Sequence, residues 1–289
     1  MNLQNRTYLG AMMTETLPLS HRSVARITGS KTISFLNRIV TCRLDDLAVG
    51  EARFGALLTP QGKILSDLYF LRTEDALWMD APESVAADTF KRLTMLKLRA
   101  DVKIEAMADL GVFLVPKSAG PESLNALQAS SSDPRLGAEF LRVIAERSDA
   151  AEPTQEAAYA ELRIERVLPE CGLDYGPSDV FPSDVNLDVT HGVDFKKGCF
   201  IGQEVASRMK RKTEVRKRTC KIASDHPFST DLTEIKAGES TVGSILTWNG
   251  QHGLALVRMD RLATAAERGD DPTLEGMQIS CTLPDYVPN

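Results

Sequence analysis

The sequence predicts an α+β protein that ends in a small β-barrel or sandwich. Two strand-like runs, 52–59 and 64–72, flank a turn that contains proline and glycine, which is typical of a hairpin. An amphipathic helix is predicted over 84–98. From residue 218 onward, short strand-like runs alternate with turns, and this spacing predicts the C-terminal barrel.

The first predicted unit is a strand, a turn and a helix. Residues 23–28 alternate around Val24 and Ile27, which predicts a strand. After the break at Gly29, residues 32–40 carry apolar side chains at helical spacing, which predicts a helix.

The remaining elements are predicted in the same way, from alternating apolar residues for strands and from helical spacing for helices. Residues 117–135, which are rich in serine, proline and glycine, and the acidic residues 146–157 are predicted to be loops or boundary helices. The other predicted strands cover 77–80, 102–106, 112–116, 218–223, 240–246, 253–258 and 277–283, and the other predicted helices cover 157–167 and 203–212.

Composition excludes several classes of protein. The chain has 289 residues, of which 43% are hydrophobic, and no apolar run approaches the roughly 20 residues of a membrane-spanning helix. The first ten residues do not resemble a secretory signal. The five cysteines are odd in number and contain no CxxC pair, so we expect neither a disulfide framework nor a zinc ribbon. These observations predict a cytoplasmic protein without a metal site or a stable cluster of its own.

Positive charge is concentrated in one segment of an otherwise acidic chain. Residues 196–221 contain ten Lys or Arg against two acids, a net charge of +8, whereas the whole chain carries −6. Three explanations compete: a solvated helix face, a site for a polyglutamate tail or an acidic partner, and an RNA contact. RNA ranks last because the segment lacks the interleaved aromatic residues of single-strand platforms.

The densest chemistry lies just before that charge. Cys199 follows Lys197 and Gly198 and precedes a helix predicted to begin at Gln203, and both the lysine and the helix N-terminus favour a thiolate. The competing interpretation is a small buried cysteine in a tight turn.

The segment Lys197–Glu204 resembles the K-G-C-[YF]-x-G-Q-E signature of the YgfZ family, the folate-binding relatives of the glycine-cleavage T protein. Weaker matches occur in the family's order over nearly the whole chain. They are residues 27–29 with 35–37, 57–67, 163–165, 186–188 and 253–258.

The resemblance implies a T-protein-like molecule of three lobes around a central hole. Residues 1–48 and 136–215 would form a discontinuous first α+β lobe that binds folate, and residues 49–135 a second α+β lobe. Both lobes would be related to the ferredoxin-like arrangement. Residues 216–289 would form the C-terminal β-barrel.

The resemblance also implies a site for tetrahydrofolate. Cys199 would be the functional thiol, assisted by Lys197. Tyr159 would stack on the pterin, because it lies where relatives can carry a tryptophan, and Asp67 and Asp184 are candidates to bind the donor edge of the pterin. The remaining residues expected near folate belong to the signature and the helix after it: Gly198, Gln203, Glu204 and Arg208.

The function implied is that of a folate-binding accessory protein for the assembly or repair of iron–sulfur enzymes, including enzymes that modify tRNA. Its partners would be folate and iron–sulfur client or assembly proteins, with neither membrane nor direct nucleic-acid binding. The motif itself does not specify a catalysed reaction. The alternative is a tetrahydrofolate-dependent aminomethyltransferase. It is disfavoured because T proteins carry two consecutive aspartates where this chain has Ser66 and Asp67. A third hypothesis is an adaptor that binds partners through the basic segment.

Overall fold

The computed structural model describes residues 15–147, 151–211, 215–229 and 233–287. These residues form three antiparallel sheets and five helices. The α+β class and the C-terminal barrel are confirmed, because two layers of sheet and helix precede a seven-stranded, nearly closed barrel.

The first sheet has five strands in the order β3-β4-β5-β2-β6. Their bounds, with those of the two helices of this unit, are β2 Arg22–Thr28, α1 Thr32–Leu36, β3 Ala52–Leu58, β4 Ile64–Arg72, β5 Leu77–Pro82, α2 Glu83–Leu96 and β6 Lys103–Ala106. The predicted hairpin is therefore confirmed. Helix α1 is shorter than predicted, because Val40 forms a β-bridge to Leu57.

The second sheet has four strands in the order β1-β7-β9-β8. They are β1 Leu17–Pro18, β7 Leu110–Pro116, β8 Ala129–Asp133 and β9 Gly137–Glu146. The prediction of a loop over 117–135 was wrong for β8, whose serine-rich residues form a strand because they pair with β9. Helix α3 (Pro153–Arg166) begins earlier than predicted, because Glu152 and Gln155 form a capping box beside Pro153.

The barrel follows α4 (Gln203–Arg211) and has the strand order β15-β14-β11-β12-β13-β10-β16. Its elements are β10 Lys217–Ala223, β11 Glu234–Ala237, β12 Ser240–Asn249, β13 His252–Arg258, α5 Met259–Glu267, β14 Pro272–Leu274, β15 Met277–Gln278 and β16 Ser280–Thr282. Sequence patterns did not reveal β11, β14 or α5. Among the helices described, none is long and apolar enough to cross a membrane.

The two N-terminal sheets do not follow the predicted division into lobes. Strand β2, from the predicted first lobe, lies inside the five-stranded sheet beside β5. Strand β9, also from that lobe, pairs with β7 and β8 of the predicted second lobe. The predicted boundaries at 48/49 and 135/136 therefore do not separate the two sheets. Whether they separate units that fold independently stays a prediction.

A buried charge network joins these two sheets. Asp80 on β5 accepts hydrogen bonds from Arg22 Nε (2.7 Å) on its own sheet and from Arg142 Nε (2.6 Å) on β9 of the other sheet. The Arg142 guanidinium lies 3.5 Å from the centroid of the Tyr69 ring. All of these side chains are buried. Burial alone would raise the pKa of Asp80, but the two arginines hold it below its ordinary value.

The network continues from Arg22 and Arg142 to two further carboxylates. Arg22 Nη1 donates to Asp67 Oδ1 at 2.7 Å, and Arg142 Nη1 donates to Asp133 Oδ2 at 3.1 Å. The other Asp67 oxygen accepts the backbone N–H of Cys171 (2.8 Å). The network therefore also holds the loop that follows α3 against the two sheets.

We predict that Asp80→Asn destabilises the fold by about 3–5 kcal/mol, because two buried guanidinium groups lose the carboxylate between them. The measurement is the free energy of unfolding in urea. The control is Asp75→Asn, whose carboxylate is 66% exposed and pairs with Arg26; it should cost no more than about 1 kcal/mol. Equal losses in the two variants would contradict a structural role for the network.

Candidate functional site

The signature loop packs directly on the turn of the β3–β4 hairpin. Gly202 has a φ of +78°, and a Cβ there would lie 2.6 Å from the carbonyl oxygen of Thr59. A Cβ on Gly62, in the hairpin turn, would lie 2.9 Å from Cβ of Val205. These close approaches require glycine on both sides. Two motifs that are distant in sequence thus form one contact.

Lys197 is held in a cage of backbone carbonyls. Its Nζ donates to the carbonyl of Val40 (2.7 Å) and to that of Cys42, and it lies 3.5 Å from Asn37 Oδ1. Burial lowers the pKa of Lys197 to about 8. The ammonium therefore anchors the signature loop to the segment between α1 and β3. This contact differs from the predicted assistance to the thiol.

Asp194 fixes the start of the same loop. Its Oδ1 accepts the backbone N–H groups of Lys196 (2.7 Å) and Lys197 (3.1 Å), while Arg43 Nε donates to Oδ2 at 2.7 Å. The hydroxyl of Thr41 adds a bond of 2.6 Å to the carbonyl of Gly192. The backbone before the cysteine is thus held by several polar contacts.

Cys199 is exposed, whereas Phe200 beside it is buried. The interpretation of Cys199 as a small buried residue is therefore wrong. Gly198 has open space where a Cβ would stand. A rigid loop thus presents the thiol to solvent.

Helix α4 begins at Gln203, as predicted. Glu204 and Arg208 form an ion pair of 2.8 Å on its exposed face. Lys210 lies with its Nζ 4.1 Å from the ring centroid of Phe195. This part of the basic segment is a solvated helix face, packed at one point on an aromatic ring.

A cavity of about 520 Å³ opens where the hairpin, the loop after α3, helix α4 and the barrel meet. This volume is ordinary for a small-molecule site. The lining residues are Lys63, Asp179, Phe181, Ser183, Asp184, Met209, Val215, Arg216, Lys217 and Arg258.

Charge in the cavity is mostly positive. Arg258 pairs with Asp260, whereas Lys63, Arg216 and Lys217 form no ion-pair contact with the residues described. The Nζ of Lys63 lies 5.8 Å from the ring centroid of Phe181. The cavity can therefore offer an aromatic face together with cations.

Asp184 is the predicted pterin-binding residue that lines this cavity. Its Oδ2 accepts the backbone N–H of Phe181 at 2.9 Å, so it also caps a turn. Burial raises the pKa of Asp184, although Lys217 and other nearby cations oppose this. Its Oδ1 can serve a ligand.

The other two predicted pterin contacts lie elsewhere, in the buried network. Both oxygens of Asp67 are used, because Oδ1 binds Arg22 and Oδ2 accepts from the backbone of Cys171 and from Tyr175 Oη (3.3 Å). Tyr159 is buried and donates to Glu170 Oε1 at 2.7 Å. Neither residue lines the cavity, so the structure does not bring them together with Asp184.

Sequence reasoning missed several cavity residues. Phe181, three residues before Asp184, lay in a segment with no predicted helix or strand, and Lys63 was noted only as part of a hairpin. Arg258 ends the barrel strand that resembles the family, but the resemblance assigned it no role. Two signals were available: Phe181 is close to Asp184 in sequence, and the basic segment contains Arg216 and Lys217. Among the residues that the structure describes, no three His, Cys, Asp or Glu are grouped so as to hold a metal ion.

Two segments of the chain match known domain families. Residues 17–149 match the GCVT N-terminal domain, and residues 216–289 match the CAF17 C-terminal beta-barrel domain. The crystal structure of the glycine cleavage system aminomethyltransferase T from Bartonella henselae superposes with a TM-score of 0.72. The superposition covers 94% of this chain and 86% of the aminomethyltransferase chain. Because the two sequences are only 16% identical, the superposition shows the fold alone.

The chain is also similar to several iron-sulfur cluster assembly factors. The chain is 26% identical to the human iron-sulfur cluster assembly factor IBA57, mitochondrial, over 93% of this chain and 84% of the relative. It is 27% identical to the IBA57 homolog of Mycosarcoma maydis, over 87% of this chain and 66% of that protein. Of a third relative, from Chaetomium globosum, the chain spans only 54% at 29% identity.

These relatives correct one expectation. The composition predicted a cytoplasmic protein, but this prediction is contradicted, because the matching proteins are named as mitochondrial.

We predict that Lys197→Met lowers the free energy of unfolding by about 1–3 kcal/mol, because it leaves two buried carbonyls without a donor. The matched control is Lys196→Met, at an exposed neighbour, which should stay within about 0.5 kcal/mol of the parent protein. Urea denaturation measures both. If the two variants unfold alike, the carbonyl cage does not stabilise the loop.

Proposed function

We propose that this protein supports the assembly or repair of iron–sulfur clusters in client enzymes, including those that modify tRNA, as the resemblance to the YgfZ family implies. The observation that carries the proposal is the exposed Cys199 on an anchored loop, in a chain similar over most of its length to iron–sulfur assembly factors. Of the other cysteines, three are buried and Cys281 is half-buried.

The chemistry of clusters favours work with a partner. An iron–sulfur cluster is commonly held by four cysteine thiolates, and Cys199 can supply one of them. Contact with a cluster through Cys199 therefore requires ligands from another protein, a client or an assembly factor. The iron and sulfur are then cargo.

We further propose that tetrahydrofolate binds in the cavity at the junction with the barrel. The residues fit it: Phe181 offers a face for a flat ring, Asp184 offers an acceptor for ring N–H donors, and Lys63 and Lys217 suit the anionic glutamate tail. Asp67 and Tyr159 do not fit, because a ligand would have to displace their buried partners. Bound folate would supply a carrier of one-carbon groups.

The alternative of an aminomethyltransferase receives less support. The likeness to aminomethyltransferase T is one of fold. A transferase that handles protons with the hairpin carboxylate needs that group free, whereas Asp67 is fully buried and paired with Arg22.

Direct RNA contact through the basic segment also receives less support. Arg218 is buried against Asp188, and Lys221 pairs with Glu165. Lys197 is enclosed by carbonyls. Among the described residues of the segment, these three charges are thus engaged in separate contacts within the protein. We therefore propose that the protein acts on small molecules and protein partners.

We predict that Cys199→Ser abolishes rescue of an iron–sulfur enzyme in cells that lack the native protein, because serine cannot replace a soft thiolate. Client activity at equal protein abundance is the measurement. Cys281→Ser removes a half-buried thiol elsewhere and should rescue fully. Full rescue by Cys199→Ser would refute the role of the thiol and leave the folate proposal intact.

We predict that the double variant Lys63→Glu/Lys217→Glu weakens tetrahydrofolate binding at least about tenfold, because charge-assisted contacts of about 1.5–3 kcal/mol are lost. Isothermal titration calorimetry under anaerobic conditions measures the Kd. Lys91→Glu, on an exposed face of α2, is the control and should bind as the parent does. An unchanged Kd in the double variant would place folate outside this cavity.

A further inference from the structure

Two cysteines of the barrel lie side by side on neighbouring strands. Cys220 is on β10 and Cys281 on β16, and the antiparallel register places Cys281 opposite Ile222. Because side chains alternate along a strand, Cys220 and Ile222 share a face, and Cys281 lies on that same face. The two thiols are therefore diagonal neighbours across the strand pair.

The two thiols differ in burial and in the direction in which their pKa is shifted. Cys220 is 1% exposed, whereas Cys281 is half-buried and reachable from solvent. The interaction between the two thiols raises the pKa of Cys220 and lowers that of Cys281, because a proton kept on Cys220 favours a thiolate on Cys281. The more accessible sulfur is thus also the better nucleophile.

Strand β16 can move to let the sulfurs bond. Diagonal residues of an antiparallel pair have Cα atoms about 7–8 Å apart, slightly more than the roughly 4.4–6.8 Å usual for a disulfide. Strand β16 has three residues, lies at the edge of the sheet and pairs with β10 alone among the described strands. A small local shift therefore suffices.

We propose that Cys281 and Cys220 form a peroxide-sensitive dithiol that closes to an intramolecular disulfide. The Cys281 thiolate attacks one oxygen of hydrogen peroxide, the O–O bond breaks, and the departing hydroxide is protonated to water. The resulting Cys281 sulfenic acid is attacked by the Cys220 sulfur. The S–S bond forms, the S–O bond breaks, and the hydroxide leaves with the proton of Cys220 as a second water. The two sulfurs lose two electrons, which reduce one peroxide.

The position of the pair links oxidation to the cavity. One residue before Cys220, Thr219 donates its hydroxyl to the carbonyl of Asp184 at 2.9 Å. Arg218 binds the carbonyl of Ser183 at 3.0 Å and pairs with Asp188. A disulfide would therefore fix the C-terminal strand to the strand that supports the cavity wall. This site does not depend on the function of Cys199.

The experiment uses the full chain with Cys199→Ser, which removes the exposed thiol that would compete. After treatment with one equivalent of hydrogen peroxide, we expect intact mass to fall by two hydrogens. Free thiols counted after denaturation should fall from four to two, and non-reducing peptide mapping should recover a peptide that links Cys220 to Cys281. The Tm of the oxidised protein should rise, because the unfolded chain is constrained.

Two further variants in the same background complete the test. With Cys220→Ser, dimedone should trap a sulfenic acid on Cys281. With Cys281→Ser, we expect neither dimedone labelling of Cys220 nor a disulfide. Circular dichroism verifies that each variant is folded. The proposal is overturned if the folded parent forms no disulfide, if the link involves Cys42 or Cys171, or if Cys281 is oxidised without joining Cys220.

Discussion

The arrangement of the N-terminal half depends on the need to neutralise charge in its interior. Asp80 receives an arginine from its own sheet and another from the facing sheet, and each arginine reaches a further carboxylate. A buried ion without a partner is strongly unfavourable, so the sheets must keep the separation and angle at which these bonds are made. Apolar packing between the sheets alone would tolerate sliding; the charge network does not.

The same network determines where a ligand can bind. Both oxygens of Asp67 are already bonded, and the ring of Tyr159 is buried, so neither residue is open to a pterin. One open space lies at the edge, where the hairpin turn and the barrel approach each other without filling the gap. The charge network thus occupies the space between the sheets, and the junction with the barrel offers a surface on which a ligand can bind.

The sequence predicted what depends on neighbouring residues. The hairpin around Pro60 and Gly62 and the helix at Gln203 follow from local periodicity and turn chemistry, and both are present. Strand β8 could not be predicted, because its serines become a strand only through pairing with β9. The partners of Arg22 and Lys197 were equally invisible, since they lie on distant parts of the chain. Residue type left open whether Cys199 is buried or exposed, and it could not distinguish a lysine that assists a thiol from one that holds a loop.

The contact between Gly202 and the hairpin turn has a consequence for how this sequence can change. Gly62 and Gly202 are 140 positions apart, yet a methyl group on Gly202 would meet Thr59 and Gly62, and one on Gly62 would meet Val205 beside Gly202. The two motifs should therefore be inherited together, and a compensated replacement at one should appear with an altered hairpin at the other. Lengthening the hairpin turn by even one residue would displace Cys199 without touching its own segment. Loop grafts between homologues should thus exchange both pieces as a matched pair.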